Sequence, residues 1–286
     1  MTNNYSINYA IIAAISWSFA ATSAALAFNA GSSILMLLFV RFLSTFIVSF
    51  LVDAGQKKKK TTTNTGKPYL RLLVISIFST LFISAYMSAI EFVSISIAVS
   101  IVYTFPILTF FANSFLKSRS IDILSAIALF ASLFGIWLLS GADANGWGNW
   151  GVILALAAAI SQAIVSIASR HNSIEPGWEL LKNIMVLPAV LFTLLFFIND
   201  YEVNVLGLIW CLLSSVGMIG GCYFFYHSIA SIGPVRTSNM LYLEPVFTIA
   251  IGVFFLNNII ESVQWIGVII IICATFVLEL WGKKYQ

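Results

Sequence analysis

The sequence predicts an all-α integral membrane protein of ten transmembrane helices, built as two inverted five-helix repeats with both termini cytoplasmic. Three observations predict it. Of 286 residues, 60% are hydrophobic and only 9% are charged, whereas an average soluble domain is about 25% charged. Apolar stretches long enough to cross a bilayer recur along the whole chain. Landmarks of the first half also return in the second at a nearly constant offset. Fourteen Lys and Arg with eleven Asp and Glu cannot cover a 31.4 kDa chain with a charged surface, so the solvent for most of it is lipid.

A hydrocarbon core of about 30 Å calls for about 20 apolar residues per helix. The spans of the first half are Ile7–Phe28, Ser33–Val52, Leu72–Ile90, Ile95–Leu116 and Ile121–Gly141. The second half supplies Trp150–Ser169, Trp178–Ile198, Val205–Ile232, Val235–Leu256 and Val263–Leu280. The first span has no basic region before it and is followed by many more, so it reads as a span and not a cleaved leader. The connections left over are too short for a soluble catalytic domain. The one long polar connection, residues 53–70, carries Lys57, Lys58, Lys59 and Lys60, a topogenic and surface feature.

Orientation follows from the loops. Counted from an inside N-terminus, all the Lys and Arg except Arg41 and Lys182 fall on inside loops: Lys57 to Lys60, Lys67, Arg71, Lys117, Arg119, Arg170, Arg236, Lys283 and Lys284. The outside loops around Ala30, Ser94, Asn145, Asp200 and Asn257 hold none. Basic residues stay on the cytoplasmic side, so both termini are expected there, in a cell membrane.

Several function classes drop out. A net charge of +3 confined to short stretches does not make a nucleic-acid face. No GxxxxGK[ST] phosphate loop is present. Cys211, Cys222 and Cys273 sit singly in apolar runs, where they read as small packing residues and not as metal ligands. With His171 and His227 the only histidines, and no carboxylates paired at a common depth, an enzyme is not expected. Neither is a metal, a catalytic residue or a cofactor.

The halves align. Asn8-Tyr9-Ala10 opens helix one and Asn149-Trp150-Gly151 opens helix six, an offset of 141 that also carries Arg41 onto Lys182. An offset of 139 carries Tyr103-Thr104-Phe105-Pro106 onto Tyr242-Leu243-Glu244-Pro245, and Asp122 onto Glu261. The units are residues 1–144 and 145–286. An odd number of spans forces the two copies to enter the membrane from opposite sides. Such inverted repeats are the usual basis of alternating access, with the substrate near midplane at the repeat interface.

At this point the chain resembles the EamA-type family of the drug/metabolite transporter superfamily. The resemblance rests on five plus five spans, Trp17-Ser18-Phe19 in helix one and a basic residue in helix two. It rests also on a proline in helices four and nine with an acidic residue at the start of helices five and ten; Glu244-Pro245 with Glu261 downstream is similar to that family's end-of-repeat signature. One departure is Ala158 where the first copy has Trp17. The resemblance implies export or exchange of small metabolites, such as amino acids, across the plasma membrane without ATP hydrolysis.

Ionisable groups at the bilayer centre cost about 2.5–3.5 kcal/mol on insertion scales, so Arg41 and Glu244 need a reason. At 1.5 Å per residue their depths differ by only about 5 Å. They are placed to hold the carboxylate and ammonium of a zwitterionic solute, with Glu244 able to carry a coupled proton, or to form a structural ion pair. Lys182, barely one turn into helix seven, reads as an anchor snorkelling to headgroups. Gln162 and Asn239 can bond a substrate or a neighbouring helix. Trp17, Tyr86, Tyr103 and Tyr242 are candidate lining rings of a cavity for a small organic molecule. Pro106 and Pro245 free the carbonyls of Val102 and Leu241 in a continuous helix and are candidate hinges. Gly217 and Gly221 form a GxxxG pair for close helix approach. The function expected is a secondary transporter, exporter or exchanger, whose partners are a zwitterionic or amphipathic metabolite, the lipid bilayer and a coupled proton. A membrane channel or receptor-like scaffold is the alternative.

Overall fold

The fold is a bundle of helices whose outward side chains are apolar and whose hydroxyls are turned inward. A computed structural model describes residues 5–56, 68–116, 123–140, 149–170, 175–199, 204–256 and 261–282. The first half contains α1 (Tyr5–Asn29), α2 (Ile34–Gly55), α3 (Pro68–Ala89), α4 (Ile95–Val102), α5 (Phe105–Leu116) and α6 (Ile123–Ser140). The second contains α7 (Asn149–Ala168), α8 (Trp178–Ile198), α9 (Val205–Ile232), α10 (Pro234–Met240), α11 (Leu243–Leu256) and α12 (Ser262–Gly282). There is no strand among the described residues.

Nine segments among the described residues are long and apolar enough to cross a membrane, and Ile123–Leu139 forms a shorter apolar helix. These are the ten expected spans, with one correction. The fourth and ninth are not continuous helices: each is two, α4 with α5 and α10 with α11. The tetralysine run, the loops around Asn145, Asp200 and Asn257, the residues Asp122, His171 and Lys67, and the remaining basic residues at 117, 119, 283 and 284 lie outside the described residues.

Local chemistry sets the helix ends. Ser33 caps α2 by accepting from the Met36 N–H at 3.1 Å, and Ser94 caps α4 by accepting from Ile97 at 3.4 Å. Asn204 accepts from the Leu206 N–H at 2.9 Å and donates to the Ala30 carbonyl at 2.9 Å, so one side chain caps α9 and fastens it to the α1–α2 turn. Such caps satisfy the first amides of a helix, which lipid cannot do. Gly233, at φ +83°, ends α9 and leads directly into Pro234, a left-handed position that favours glycine followed by proline at its preferred helical site.

Within the spans, buried hydroxyls bond back to their own helix. Thr45 donates to the Arg41 carbonyl at 2.7 Å and Ser49 to the Thr45 carbonyl at 2.6 Å; Thr80 does the same to Ser76 at 2.7 Å. The opposite faces are apolar: Phe254 is 80% exposed and Ile198 77%, as lipid contact permits.

The helices pack across the two halves: α1 on α9, α3 on α7, α2 on α8 and α6 on α12. Small residues set the closest approaches. A Cβ on Gly217 would lie 2.6 Å from the Ser16 carbonyl oxygen, and one on Gly221 would run into the Trp17 indole. Gly135 and Gly267 meet reciprocally between α6 and α12; a Cβ on the first would lie 2.9 Å from the Gly267 oxygen. Between α3 and α7 the seam is Ala85, Ala89, Ala155 and Ala158. The α2–α8 seam instead stacks rings, with Phe39 on Phe196 at 4.4 Å and Phe42 on Phe192 at 5.2 Å. Its far end is closed by an ion pair of Lys182 with Asp53. Lys182 is thus an interhelical partner as well as a side chain that keeps part of its surface exposed.

Candidate functional site

Two broken helices frame the site. In the first, the Tyr103 N–H bonds to the Val99 carbonyl at 2.9 Å and Thr104 to Ile101 at 3.0 Å before α5 begins. In the second, Tyr242 bonds to Asn239 at 3.2 Å and Glu244 to Leu241 at 3.0 Å before α11 continues. Pro106 and Pro245 stand in the first turns of α5 and α11, where proline has no hydrogen bond to lose. Each proline thus starts a new helix instead of kinking a continuous one. The expectation of a freed Leu241 carbonyl is corrected accordingly, since the Glu244 N–H takes it.

The breaks bring matched residues together. The rings of Tyr103 and Tyr242 stack with centroids 6.2 Å apart and 28° between planes. Tyr242 is fully buried, and its hydroxyl has no partner among the described residues. Glu244 lies in the first turn of α11, where the positive end of the helix dipole favours a carboxylate. Tyr103, Arg41 and Tyr86 lie within electrostatic reach of its side chain. Though deep in the bundle, Glu244 keeps some accessible surface.

Arg41 and Glu244 share this centre without forming an ion pair; the ion pairs among the described residues are Lys182–Asp53 and Arg236–Glu279. The Arg41 Nε donates to Ser214 Oγ at 3.0 Å, and Nη2 donates to Ser214 Oγ at 2.6 Å and to the Ala20 carbonyl at 2.9 Å. Ser214 in turn donates to the Ala20 carbonyl at 2.6 Å. Arg41 is buried, so α1, α2 and α9 are joined through one guanidinium. Trp17 stands beside this junction, with its ring 5.1 Å from Phe225.

Gln162 and Asn239 are both buried but belong to a separate polar seam. Ser166, one turn beyond Gln162, accepts from Ser238 at 3.4 Å, next to Asn239. Among the described residues no hydrogen bond links either to Arg41 or Glu244, and the Asn239 side-chain oxygen has no partner. Further along α10, Arg236 pairs with Glu279 of α12. Sequence reasoning missed Ser214, the Ala20 carbonyl and Asp53. Ser214-Ser215 in mid-span was the one available signal, since hydroxyls deep in an apolar run need a partner.

These features define a class: a multi-pass helical membrane protein with a polar, aromatic centre reached by broken helices. Comparison with known proteins gives the family. Residues 4–141 and 149–280 match the EamA-like transporter family, and the chain belongs to it, a family of multi-pass membrane transporters of small solutes. A stretch of 77 residues is 32% identical to the Drosophila melanogaster protein described as "Solute carrier family 35 member B1 homolog". That match covers 26% of this chain and 23% of the relative's length. A solved crystal structure superposes with a TM-score of 0.79 at 17% identity, covering 98% of this chain and 99% of the other, a likeness of fold alone.

Proposed function

We propose that this chain is a secondary transporter that exports or exchanges small zwitterionic or amphipathic metabolites, such as amino acids, across the plasma membrane by alternating access without hydrolysing ATP. The observation that carries the reading is the buried centre where both broken spans meet. There Glu244, only partly buried, lies near Arg41, Tyr86 and Tyr103, whose ring stacks on Tyr242, so groups for both charges of a zwitterion are present. Trp17 borders the same centre, and Gln162 and Asn239 line the neighbouring seam.

Two inverted repeats, 1–144 and 145–286, provide the exchangeable arrangements that alternating access requires. The helix contacts support this. Exchanging each helix for its counterpart in the other half turns α1–α9 into α7–α3 and leaves α2–α8 and α6–α12 unchanged; all four contacts occur. Pro106 and Pro245, beginning the second segment of each broken span, act as the hinges. Glu244 carries the coupled proton, and both termini face the cytoplasm.

Counterflow in proteoliposomes, screened with labelled amino acids, amines and nucleosides, tests the reading. Amino acids are expected to accumulate, and accumulation should be slowed several-fold but not lost in folded Glu244→Gln protein. Absence of counterflow for every solute in folded wild-type protein would refute it.

A further inference from the structure

The two charges at the centre are not equally free to meet a ligand. A carboxylate is held best by two parallel N–H groups of a guanidinium. In Arg41, Nη2 belongs to both possible forks, and it is already bonded to Ser214 Oγ at 2.6 Å and the Ala20 carbonyl at 2.9 Å. Nε is bonded to the same hydroxyl at 3.0 Å. The Ser214 hydroxyl has its own hydrogen on Ala20 at 2.6 Å, and its residue is fully buried. The triangle is closed, so at most Nη1 remains for a ligand.

Glu244 is placed the other way. No cation lies within ion-pair distance of it among the described residues. The phenol of Tyr103 lies within electrostatic reach of it, the Tyr103 ring stacks on Tyr242, and Glu244 keeps some accessible surface. The Tyr242 hydroxyl is a buried polar atom without a partner. A carboxylate beside a phenol offers an ammonium an opposite charge and an oxygen that accepts its hydrogen bonds.

We infer that the solute is recognised first through an ammonium group, at Glu244 beside Tyr103, and that Ser214 is a positioning residue withholding Arg41 from bidentate carboxylate binding. The inference rests on the reading of this centre as the solute site. A carboxylate on the solute then meets a single guanidinium nitrogen and contributes less than the ammonium.

Three probes sharing one aromatic ring separate the contributions: phenylalanine, 2-phenylethylamine and 3-phenylpropanoate. Their apparent affinities are read from thermal stabilisation of the purified full chain in detergent. Removing the carboxylate should weaken binding less than about fivefold, and removing the ammonium at least about 20-fold. Glu244→Gln should abolish that difference. Ser214→Ala should free Arg41 and strengthen 3-phenylpropanoate by about fivefold, whereas Ser214→Thr, which keeps the hydroxyl, should retain the wild-type order. Binding of 3-phenylpropanoate as tight as that of 2-phenylethylamine, or stabilisation by none of the three, would overturn the inference. Equal weakening of all three by Ser214→Ala would make Ser214 merely structural and overturn its positioning role. Binding in the expected order without counterflow would instead remove the transport reading and leave the recognition order standing.

Discussion

Arg41 shows how a single side chain is made tolerable in lipid. Its insertion cost of about 2.5–3.5 kcal/mol is offset by three hydrogen bonds to Ser214 and the Ala20 carbonyl, each worth about 1.5–3 kcal/mol when one partner is charged. Arg41→Lys keeps the charge but offers no planar fork, so it should lower the thermal unfolding midpoint in detergent while leaving the chain folded. A midpoint equal to wild type would show that the Ser214 contacts add nothing. Glu244 poses the functional counterpart. The proposed role as proton carrier requires exchange to depend on pH, and glutamine keeps the shape of Glu244 without a titratable group. Initial exchange rates in proteoliposomes between about pH 6 and about pH 8 should change several-fold for wild type and stay flat for Glu244→Gln. A mutant that retains the wild-type profile would end the coupling role. The sequence revealed these two residues as charges in apolar runs, but it did not reveal their partners. Depth along a helix can be counted from the sequence, whereas which neighbour a guanidinium faces depends on helix rotation. Ser214 stands 173 positions away from Arg41, in a run that otherwise reads as packing.

At the level of elements, the spans were legible because apolar length is dictated by the bilayer, and the two breaks only in part. Pro106 and Pro245 marked the right places, but whether a proline kinks a helix or starts one depends on the residues before it. Here Tyr103-Thr104 and Leu241-Tyr242 stand between the helices as turns, which puts each proline in a first turn. Pro245→Ala should therefore fold, lose little affinity and slow exchange several-fold by stiffening the junction of α10 and α11. Unchanged exchange kinetics would mean that the break does not move. The α1–α9 seam makes a second element-scale prediction. Gly221 has the Trp17 indole where its Cβ would be, so Gly221→Leu should force the helices apart and cost at least about 1–3 kcal/mol. Gly55→Ala, with nothing within 4 Å of the added carbon, should be neutral in the same unfolding assay. Equal effects from both would show that close approach of α1 and α9 is not what the glycines provide.

At the scale of the whole molecule, the pairing of helices ties function to topology. Every principal seam joins one half of the chain to the other, so neither half buries its inner faces alone, and a movement of one half must be read against the other. Five spans per half then carry a geometric obligation. Positions related by the internal match must lie on opposite sides of the membrane, whatever the orientation of the whole. Asp122 and Glu261 are such a pair. In a background with Cys211, Cys222 and Cys273 replaced by alanine, a cysteine at position 261 should react with a membrane-impermeant maleimide in intact cells. Cysteines placed at Asp122 and at Gly55, by contrast, should react only after permeabilisation. The bias of Lys and Arg predicts which face is inside, and an odd span number per half predicts that the pair is split. Labelling of 122 and 261 from the same side would remove the inverted relation, and with it the physical ground for two exchangeable arrangements of one helix set. Labelling of both in the reverse sense would keep the inversion and place the termini outside, overturning only the orientation.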